Sequence, residues 1–156
     1  MPQPNPTVLK ALEDVLQAEM AAINSYFIHA KLLANWGYGK LSTKAYEESM
    51  DEMRHTEQLV DRIVYFDEIP NLNKIGRVKV GKTVREQFEL ALDLETQQVG
   101  RINTAISACN DAGDDGTRLV LEPMVTAGES SIDWLETQLS ALEALGDSAY
   151  LAQQLA

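Results

Sequence analysis

The sequence of 156 residues has little cysteine, few basic side chains and no long hydrophobic run. Cys109 is its one cysteine, which excludes an internal disulfide and any zinc or redox site of the CxxC type. Thirteen Lys and Arg stand against 24 Asp and Glu, giving a formal net charge of −11. This balance counts against nucleic-acid binding and against a basic membrane-surface domain. No run of about 18 apolar residues spans a bilayer, and no signal-peptide pattern opens the chain.

The remaining composition is that of an ordinary globular protein, with 45% hydrophobic and 24% charged residues. Its length predicts a single domain over residues 1–156, long enough to bury a substantial core. Because neither a signal peptide nor a membrane segment is found, we expect a cytoplasmic protein without a membrane or nucleic-acid partner. The excess of carboxylates is the feature that a proposed function has to explain.

Capping and helix-breaking residues divide the chain into five predicted helices. Asn5 and Pro6 form a helix start, and Thr83 with Glu86 forms a capping box. Pro70 is expected to stop the second helix. Only the region of Lys79 and Val80 hints at a strand, so the predicted fold class is all-α. The helices are placed at about 6–36, 41–68, 84–111, 117–145 and 148–155.

The lengths of the connections predict the topology. The short turns at 37–40 and 112–116 join antiparallel neighbours. The link over residues 69–82 reaches about 46–50 Å when extended, and the second helix is about 42 Å long. The link therefore runs back along the whole helix and makes the second and third helices parallel. This is a ferritin-like four-helix bundle with one long crossover and a short fifth helix, whereas cytokine bundles need two crossovers.

Three predicted helices carry a carboxylate on the face that should be buried, namely Glu19, Glu52 and Glu95. His55 follows Glu52 at a spacing of three, which places both side chains on one helix face. Buried carboxylates that face each other without a cation repel, and some must then bind a proton. A bound metal removes that repulsion, so the pattern predicts a metal site.

A single Glu in such a stripe is more often a misphased surface residue or a salt-bridge partner, here of Arg54 or Arg62. Three carboxylates in register, one of them with a histidine, favour the metal site instead.

Five longer stretches make the sequence resemble the bacterioferritins, the haem-containing branch of the ferritin family, over nearly its full length. They are residues 22–30 (AINSYFIHA), 35–37 (NWG), 48–55 (ESMDEMRH), 70–72 (PNL) and 132–137 (IDWLET). The resemblance implies a hollow cage of two dozen subunits that oxidises Fe(II) and stores a ferric mineral. Its di-iron site takes one Glu from each of two helices and a Glu-x-x-His pair from each of the other two. The matching residues are Glu19, Glu52 with His55, and Glu95.

The fourth helix departs from the family pattern. The second Glu-x-x-His pair should fall at positions 128 and 131, which hold Gly128 and Ser131. Glu129 lies about 100° further round the helix and points elsewhere. We therefore expect an incomplete di-iron site with impaired or absent ferroxidase activity. Such a subunit is expected to co-assemble with a second, ferroxidase-competent bacterioferritin subunit type.

Met53 lies about 100° round the second helix from Glu52 and so belongs to another apolar stripe. A second apolar stripe on a bundle helix predicts a further packing surface, most simply a two-fold subunit interface. From the residues alone, Met53 fills that interface. The resemblance implies that it is the axial ligand of haem b, one methionine coming from each subunit of the dimer. Asn24, Phe27 and Tyr46 are the expected neighbours of the haem.

Glu47 and Asp51 lie one turn apart on the second helix. They form either an iron-binding or nucleation site on the inner wall of the cage or an ordinary solvated acidic face. His29 is expected to pack or to form a hydrogen bond and receives no functional role.

The sequence thus predicts an iron-storage subunit whose substrate is Fe(II), whose product is ferric mineral and whose haem conducts electrons for iron release. Two alternatives remain. One is an active ferroxidase or di-iron oxidase of the wider superfamily, which the residues at 128 and 131 disfavour. The other is a non-catalytic helical interaction protein, whose core would not need three carboxylates in register.

Overall fold

The structure, a computed structural model, describes residues 3–155, and every regular element in that range is a helix. The all-α prediction is confirmed, and Lys79 and Val80, the one region with a hint of strand character, lie in an irregular connection. No helix within the described range combines the length and apolarity that a bilayer crossing requires. The helices are α1 (Pro6–Asn35), α2 (Gly39–Tyr65), α3 (Val84–Ala112), α4 (Asp115–Leu145) and α5 (Asp147–Ala152).

Side-chain caps begin α1 and α3 where the sequence places them. The Asn5 side chain accepts hydrogen bonds from the backbone N–H groups of Thr7 and Val8, at 2.9 and 3.2 Å. The Thr83 hydroxyl accepts from the N–H of Glu86 at 3.1 Å, and the Glu86 carboxylate accepts from the N–H of Lys82 at 2.7 Å. These bonds satisfy N–H groups that have no partner inside the helix.

The boundaries of α2 and α5 differ from the prediction. The second helix begins at Gly39 and ends at Tyr65, before Pro70 is reached. The residue responsible is Asp67, whose φ of 62° is left-handed and turns the chain away from the helix axis. Aspartate tolerates this conformation better than most residues, so the local backbone ends the helix and proline does not. The fifth helix spans only Asp147–Ala152 instead of reaching residue 155.

The connection between α2 and α3 runs alongside α1 in the same direction. Gln17 donates to the carbonyl of Asn71, and Ser25, two turns later, donates to the carbonyl of Lys79. Since α1 and α2 are antiparallel neighbours, this crossover carries the chain back to the end of the bundle at which α2 began. The predicted ferritin-like arrangement with one long crossover is therefore confirmed.

The apolar core is divided into two clusters by a polar layer at mid-length. Along α1, α2 and α3 the layer is marked by the buried carboxylates of Glu19, Glu52 and Glu95. One cluster is built around Val8, Leu12, Leu16, Leu59, Ile63, Ile102 and Leu121. The other is built around Ala22, Tyr26, Leu33, Leu41, Phe88, Leu135 and Tyr150.

The end of the crossover is fixed by His29, for which we expected packing or a hydrogen bond and no functional role. The backbone N–H of Gly81 donates to Nε2 of His29 at 2.9 Å, and Gln87 donates to the Gly81 carbonyl at 3.2 Å. A Cβ at position 81 would lie 2.6 Å from the backbone nitrogen of Gln87, so this close approach requires glycine. Because Nε2 accepts a hydrogen bond, the buried imidazole must be neutral there.

We expect His29→Gln to reduce the loss of stability in mild acid. Burial lowers the pKa of His29 from 6.5 to about 4. The unfolded chain binds the proton first, so His29 contributes stability above about pH 6.5 that is lost as the pH falls toward 4. The loss reaches about 2 kcal/mol at pH 5, or about 4–8 °C in Tm for a chain of this size.

Thermal melts of both proteins at pH 7 and pH 5 test this, because glutamine accepts the Gly81 hydrogen bond but does not titrate. Equal losses between pH 7 and pH 5 in the two proteins would show that His29 is not the group responsible.

Candidate metal centre

The polar layer contains three carboxylates that are almost fully enclosed. Glu19 on α1, Glu52 on α2 and Glu95 on α3 expose only 1%, 5% and 2% of their surface. The sequence had offered Arg54 and Arg62 as alternative partners for such groups. The structure pairs Arg54 with Asp51 and Arg62 with Asp114, so neither arginine neutralises the buried carboxylates.

Glu19, Glu52 and His55 converge at one side of the layer. Their candidate ligand atoms all lie within 4.8 Å of one another, and Nδ1 of His55 is 3.5 Å from Oε2 of Glu52. Gln98 donates to Oε1 of Glu19 at 2.8 Å. Oε2 of Glu19 is buried and has no hydrogen-bond partner within residues 3–155. An orphaned buried carboxylate oxygen is costly, and a bound cation would satisfy it.

Glu48, Glu52 and Glu95 form a second group whose ligand atoms also lie within 4.8 Å of one another. Glu52 belongs to both groups and therefore stands between the two halves of the centre. Glu48 is buried at the edge of the centre, a placement that the sequence reasoning missed. It precedes Glu52 by four residues, and this spacing, which puts both on one helix face, is the signal that would have found it.

Burial and neighbouring negative charge act together on Glu95. Burial raises the pKa of its carboxyl well above the usual range, and the charge of Glu52 raises the pKa further. The Tyr26 hydroxyl opposes this by donating to Oε1 of Glu95 at 2.7 Å. Burial also raises the pKa of Tyr26 itself. Without a cation the cluster favours binding a proton, so metal binding here competes with protonation.

The fourth helix brings its two non-ligating residues to the centre. A Cβ built on Gly128 would lie 3.9 Å from Oε2 of Glu95. The Ser131 hydroxyl donates to Oε2 of Glu48 at 3.1 Å. Glu129 is exposed. Positions 128 and 131 therefore face the carboxylates, as the spacing predicted, but they carry neither a carboxylate nor an imidazole.

A cleft between α2 and α4 opens onto the centre. Its volume is about 220 Å³, and its lining includes Glu48, Glu52, His55 and Ser131. Asp51 lies on the exposed border of this cleft, where it accepts a hydrogen bond from Arg54 at 2.8 Å. Glu47 is exposed one turn before Asp51. Three of the candidate ligands therefore border the cleft, whereas Glu19 and Glu95 do not line it.

The residues expected around haem lie on the outside of the bundle. Met53 and Tyr46 on α2 and Phe27 on α1 expose more than 40% of their surface. Asn24 is also exposed, and its side chain donates to the carbonyl of Met20. A hydrogen bond from Ser49 to the carbonyl of Ile23 fixes the register of the two helices and places Tyr46 level with Phe27.

This surface has the chemistry that a haem would need. It offers a thioether, a soft ligand for haem iron, beside exposed aromatic side chains. Large apolar side chains are exposed together when another molecule covers them. The residues present therefore fit a haem held at a subunit interface.

A four-helix bundle with one long crossover and a buried carboxylate and imidazole centre defines a ferritin-like protein. A family model described as a ferritin-like domain matches residues 9–145. A bacterioferritin of Mycobacterium leprae is 42% identical over 151 residues, covering 97% of this chain and 95% of the relative. A bacterioferritin of Streptomyces coelicolor is 40% identical, covering 96% and 90%. The solved structure of Mycobacterium tuberculosis bacterioferritin, BfrA, superposes with a TM-score of 0.96 at 41% identity, covering 99% and 98%. The chain belongs to the bacterioferritin family.

Proposed function

We propose that this chain is an iron-storage cage subunit that binds haem at its dimer interface and holds one metal ion where a complete centre holds two. One observation carries the proposal. Metal ligands converge from α1 and α2, whereas α4 places Gly128 and Ser131, which supply no carboxylate or imidazole, at the same centre. Fe(II) is the substrate, and a ferric mineral is the product. A cytoplasmic location is part of the proposal.

The count of one metal follows from the donors. Glu19, His55 and a Glu52 oxygen supply three ligands to the first position, where a bound cation would satisfy the Glu19 oxygen that has no hydrogen-bond partner within the described residues. The second position is left with Glu95, the shared Glu52 and Glu48. The charge of Glu48 is offset by Lys44, and α4 adds neither a carboxylate nor an imidazole. Two adjacent metals need ligands on both sides, so the second ion is not held.

Loss of one metal position impairs ferroxidase activity. A cage made only of such subunits would take up and oxidise Fe(II) slowly. We therefore propose co-assembly with a second subunit type that has a complete centre and oxidises the iron. The exposed face around Met53 would then form dimers with a copy of itself or with the second subunit.

Met53, Tyr46, Phe27 and Asn24 would hold the haem at this face. The haem, when bound, supplies one-electron transfer for releasing iron from the mineral. The chain contributes the thioether of Met53 and the apolar walls that keep water from the ring. Because Met53 and Glu52 lie on different faces of α2, the haem surface and the metal centre are separate sites on one helix.

The exposed carboxylates of Glu47 and Asp51 would attract Fe(II) to the mouth of the cleft. Several like charges beside a narrow opening raise the local concentration of a divalent cation. Asp51 is paired with Arg54, which leaves Glu47 and the buried ligands as the stronger attraction.

Neither alternative function is favoured by an observation in the structure. An active di-iron oxidase would need ligands at 128 and 131. A non-catalytic interaction protein would have no reason to keep the buried Glu19 oxygen without a partner.

We expect the metal-free protein to bind about one Zn²⁺ per subunit tightly and Glu52→Gln to weaken that binding at least about 100-fold. Zn²⁺ takes the same carboxylate and imidazole ligands as iron but is not oxidised. Changing groups that merely orient a ligand already costs about 10–100-fold, so removing a direct ligand should cost at least as much. Isothermal titration provides the measurement.

Glu129→Gln is the matched control. It also removes one carboxylate, but Glu129, which follows Gly128 in the sequence, is exposed and does not belong to the buried ligands. Zn²⁺ binding by Glu52→Gln equal to that of the control would show that Glu52 is not a ligand.

A further inference from the structure

We propose that the α4 side of the centre is closed to a second metal by two side chains of this chain. Val99 takes up the volume in front of Gly128, and the ammonium group of Lys44 supplies the positive charge that a second metal would bring. The inference rests on the proposed one-metal centre and explains how that centre stays empty on one side.

The contact between Val99 and Gly128 is the steric part of the closure. A Cβ built on Gly128 would lie 2.6 Å from Cγ2 of Val99, closer than real Cβ contacts come. A valine side chain in a helix has one strongly preferred rotamer, so it cannot swing aside at low cost. Any larger side chain at position 128 must therefore displace Val99 or push α3 and α4 apart. Val99 and Gly128 form a matched pair.

Lys44 is the electrostatic part of the closure. Its Nζ lies 3.0 Å from Oε1 of Glu48 and 5.1 Å from the centre of the Trp134 ring on α4. The same lysine lines the cleft through which Glu48 and Glu52 are reached. The ammonium group of Lys44 is thus held between α2 and α4, on the side of the centre where a second metal would bind. There it supplies the positive charge that the metal would otherwise bring to the carboxylates.

Both oxygens of Glu48 already have a donor of this chain. Lys44 contacts Oε1 at 3.0 Å, and the Ser131 hydroxyl donates to Oε2 at 3.1 Å. These donors occupy about half of the lone pairs of the carboxylate, so Glu48 has less negative charge and fewer free positions to offer a metal. Glu48, Glu52 and Glu95 lie close enough to share an ion, yet the ammonium already offsets part of their combined charge.

The test restores the missing ligands with and without the two closing side chains. Zn²⁺ retained per subunit is measured by elemental analysis on assembled, mineral-free protein, together with titration and thermal melts. We expect K44Q/V99A/G128E/S131H to hold about one more Zn²⁺ per subunit than the wild type. K44Q/G128E/S131H, which keeps Val99, should hold no additional Zn²⁺ and should melt at a lower temperature than the four-residue variant.

A matched control isolates the charge of Lys44. Lys10 also pairs with a carboxylate four residues later but lies exposed on α1. K10Q/V99A/G128E/S131H should bind the additional Zn²⁺ at least about tenfold more weakly than the variant with K44Q. Equal affinities would overturn the role of Lys44, and additional Zn²⁺ in the variant that keeps Val99 would overturn the role of Val99. An assembled four-residue variant without additional Zn²⁺ would overturn both.

A second measurement covers the case in which the four-residue variant does not fold. Gly128→Ala should lower the Tm of the wild type but raise that of Val99→Ala, since alanine is the better helix former once the clash is removed. Equal effects of Gly128→Ala in both backgrounds would contradict the matched pair. The Zn²⁺ count of the wild type tests the proposed one-metal centre separately. Two Zn²⁺ per wild-type subunit would refute that centre, whereas the differences between variants test the two closing side chains.

Discussion

Mineral-free cages assembled from this chain alone should oxidise Fe(II) at least about 100-fold more slowly than a bacterioferritin with a complete centre. Each Fe(II) gives up one electron, whereas reduction of O₂ to hydrogen peroxide takes two. Two irons must therefore be held side by side for the first oxidation to be fast. Here Gly128 and Ser131 stand where the ligands of the second iron belong. Loss of direct ligands should cost at least as much activity as the 10–100-fold seen for groups that only orient them.

Stopped-flow absorbance of the ferric product measures this rate, with Fe(II) added at no more than two ions per subunit so that no mineral surface forms. The same measurement on Met53→Leu cages removes haem as an oxidant. A fast phase with an amplitude of two irons per subunit would overturn the loss of the second position. Cages purified from native cells should show the fast phase in proportion to their content of a second subunit type, and homomeric native cages would count against co-assembly.

The fold could be predicted from local signals because those signals are strong here. The Asn5 cap, the Thr83 capping box and the glycines after α1, α3 and α4 mark helix ends through backbone chemistry that acts within a few residues. The crossover is long enough to run back along the whole second helix, which predicted that the second and third helices are parallel. The end of α2 was missed because the left-handed turn at Asp67 leaves no distinctive residue pattern, whereas Pro70 does.

The centre could be predicted in part for a similar reason. A glutamate in an otherwise apolar stripe is visible in one sequence, and Glu19, Glu52 and Glu95 each interrupt such a stripe. Glu48 was missed because it lies at the edge of the buried face of α2, where a small rotation of the helix decides between core and solvent. The contacts of Gln98 and Val99 were also missed, since they depend on how closely α3 approaches α1 and α4. That distance is set by tertiary packing and not by the helix sequence.

Replacing Met53 by leucine should remove haem from the protein and lower haem content per subunit at least tenfold. Met53 presents a thioether on an exposed apolar surface, where leucine keeps the volume and the apolar character but has no sulfur. The optical spectrum of protein purified after haem-replete expression, normalised to subunit concentration, measures the loss. Met50→Leu is the matched control, because Met50 lies one turn away on the same helix and should not be needed as a ligand.

Met53 could be exposed because it fills a subunit interface or because it is the axial ligand of haem. Measuring cage assembly as well as haem content distinguishes these two explanations. If Met53 only fills an interface, leucine fills it nearly as well, since volume-conserving apolar exchanges cost less than about 1.5 kcal/mol. Haem would then be retained, or would be absent from the wild type also. If Met53 is the axial ligand, haem is lost while size-exclusion chromatography still shows the assembled protein. Loss of the haem bands in Met50→Leu but not in Met53→Leu would move the ligand to the other methionine and overturn the assignment.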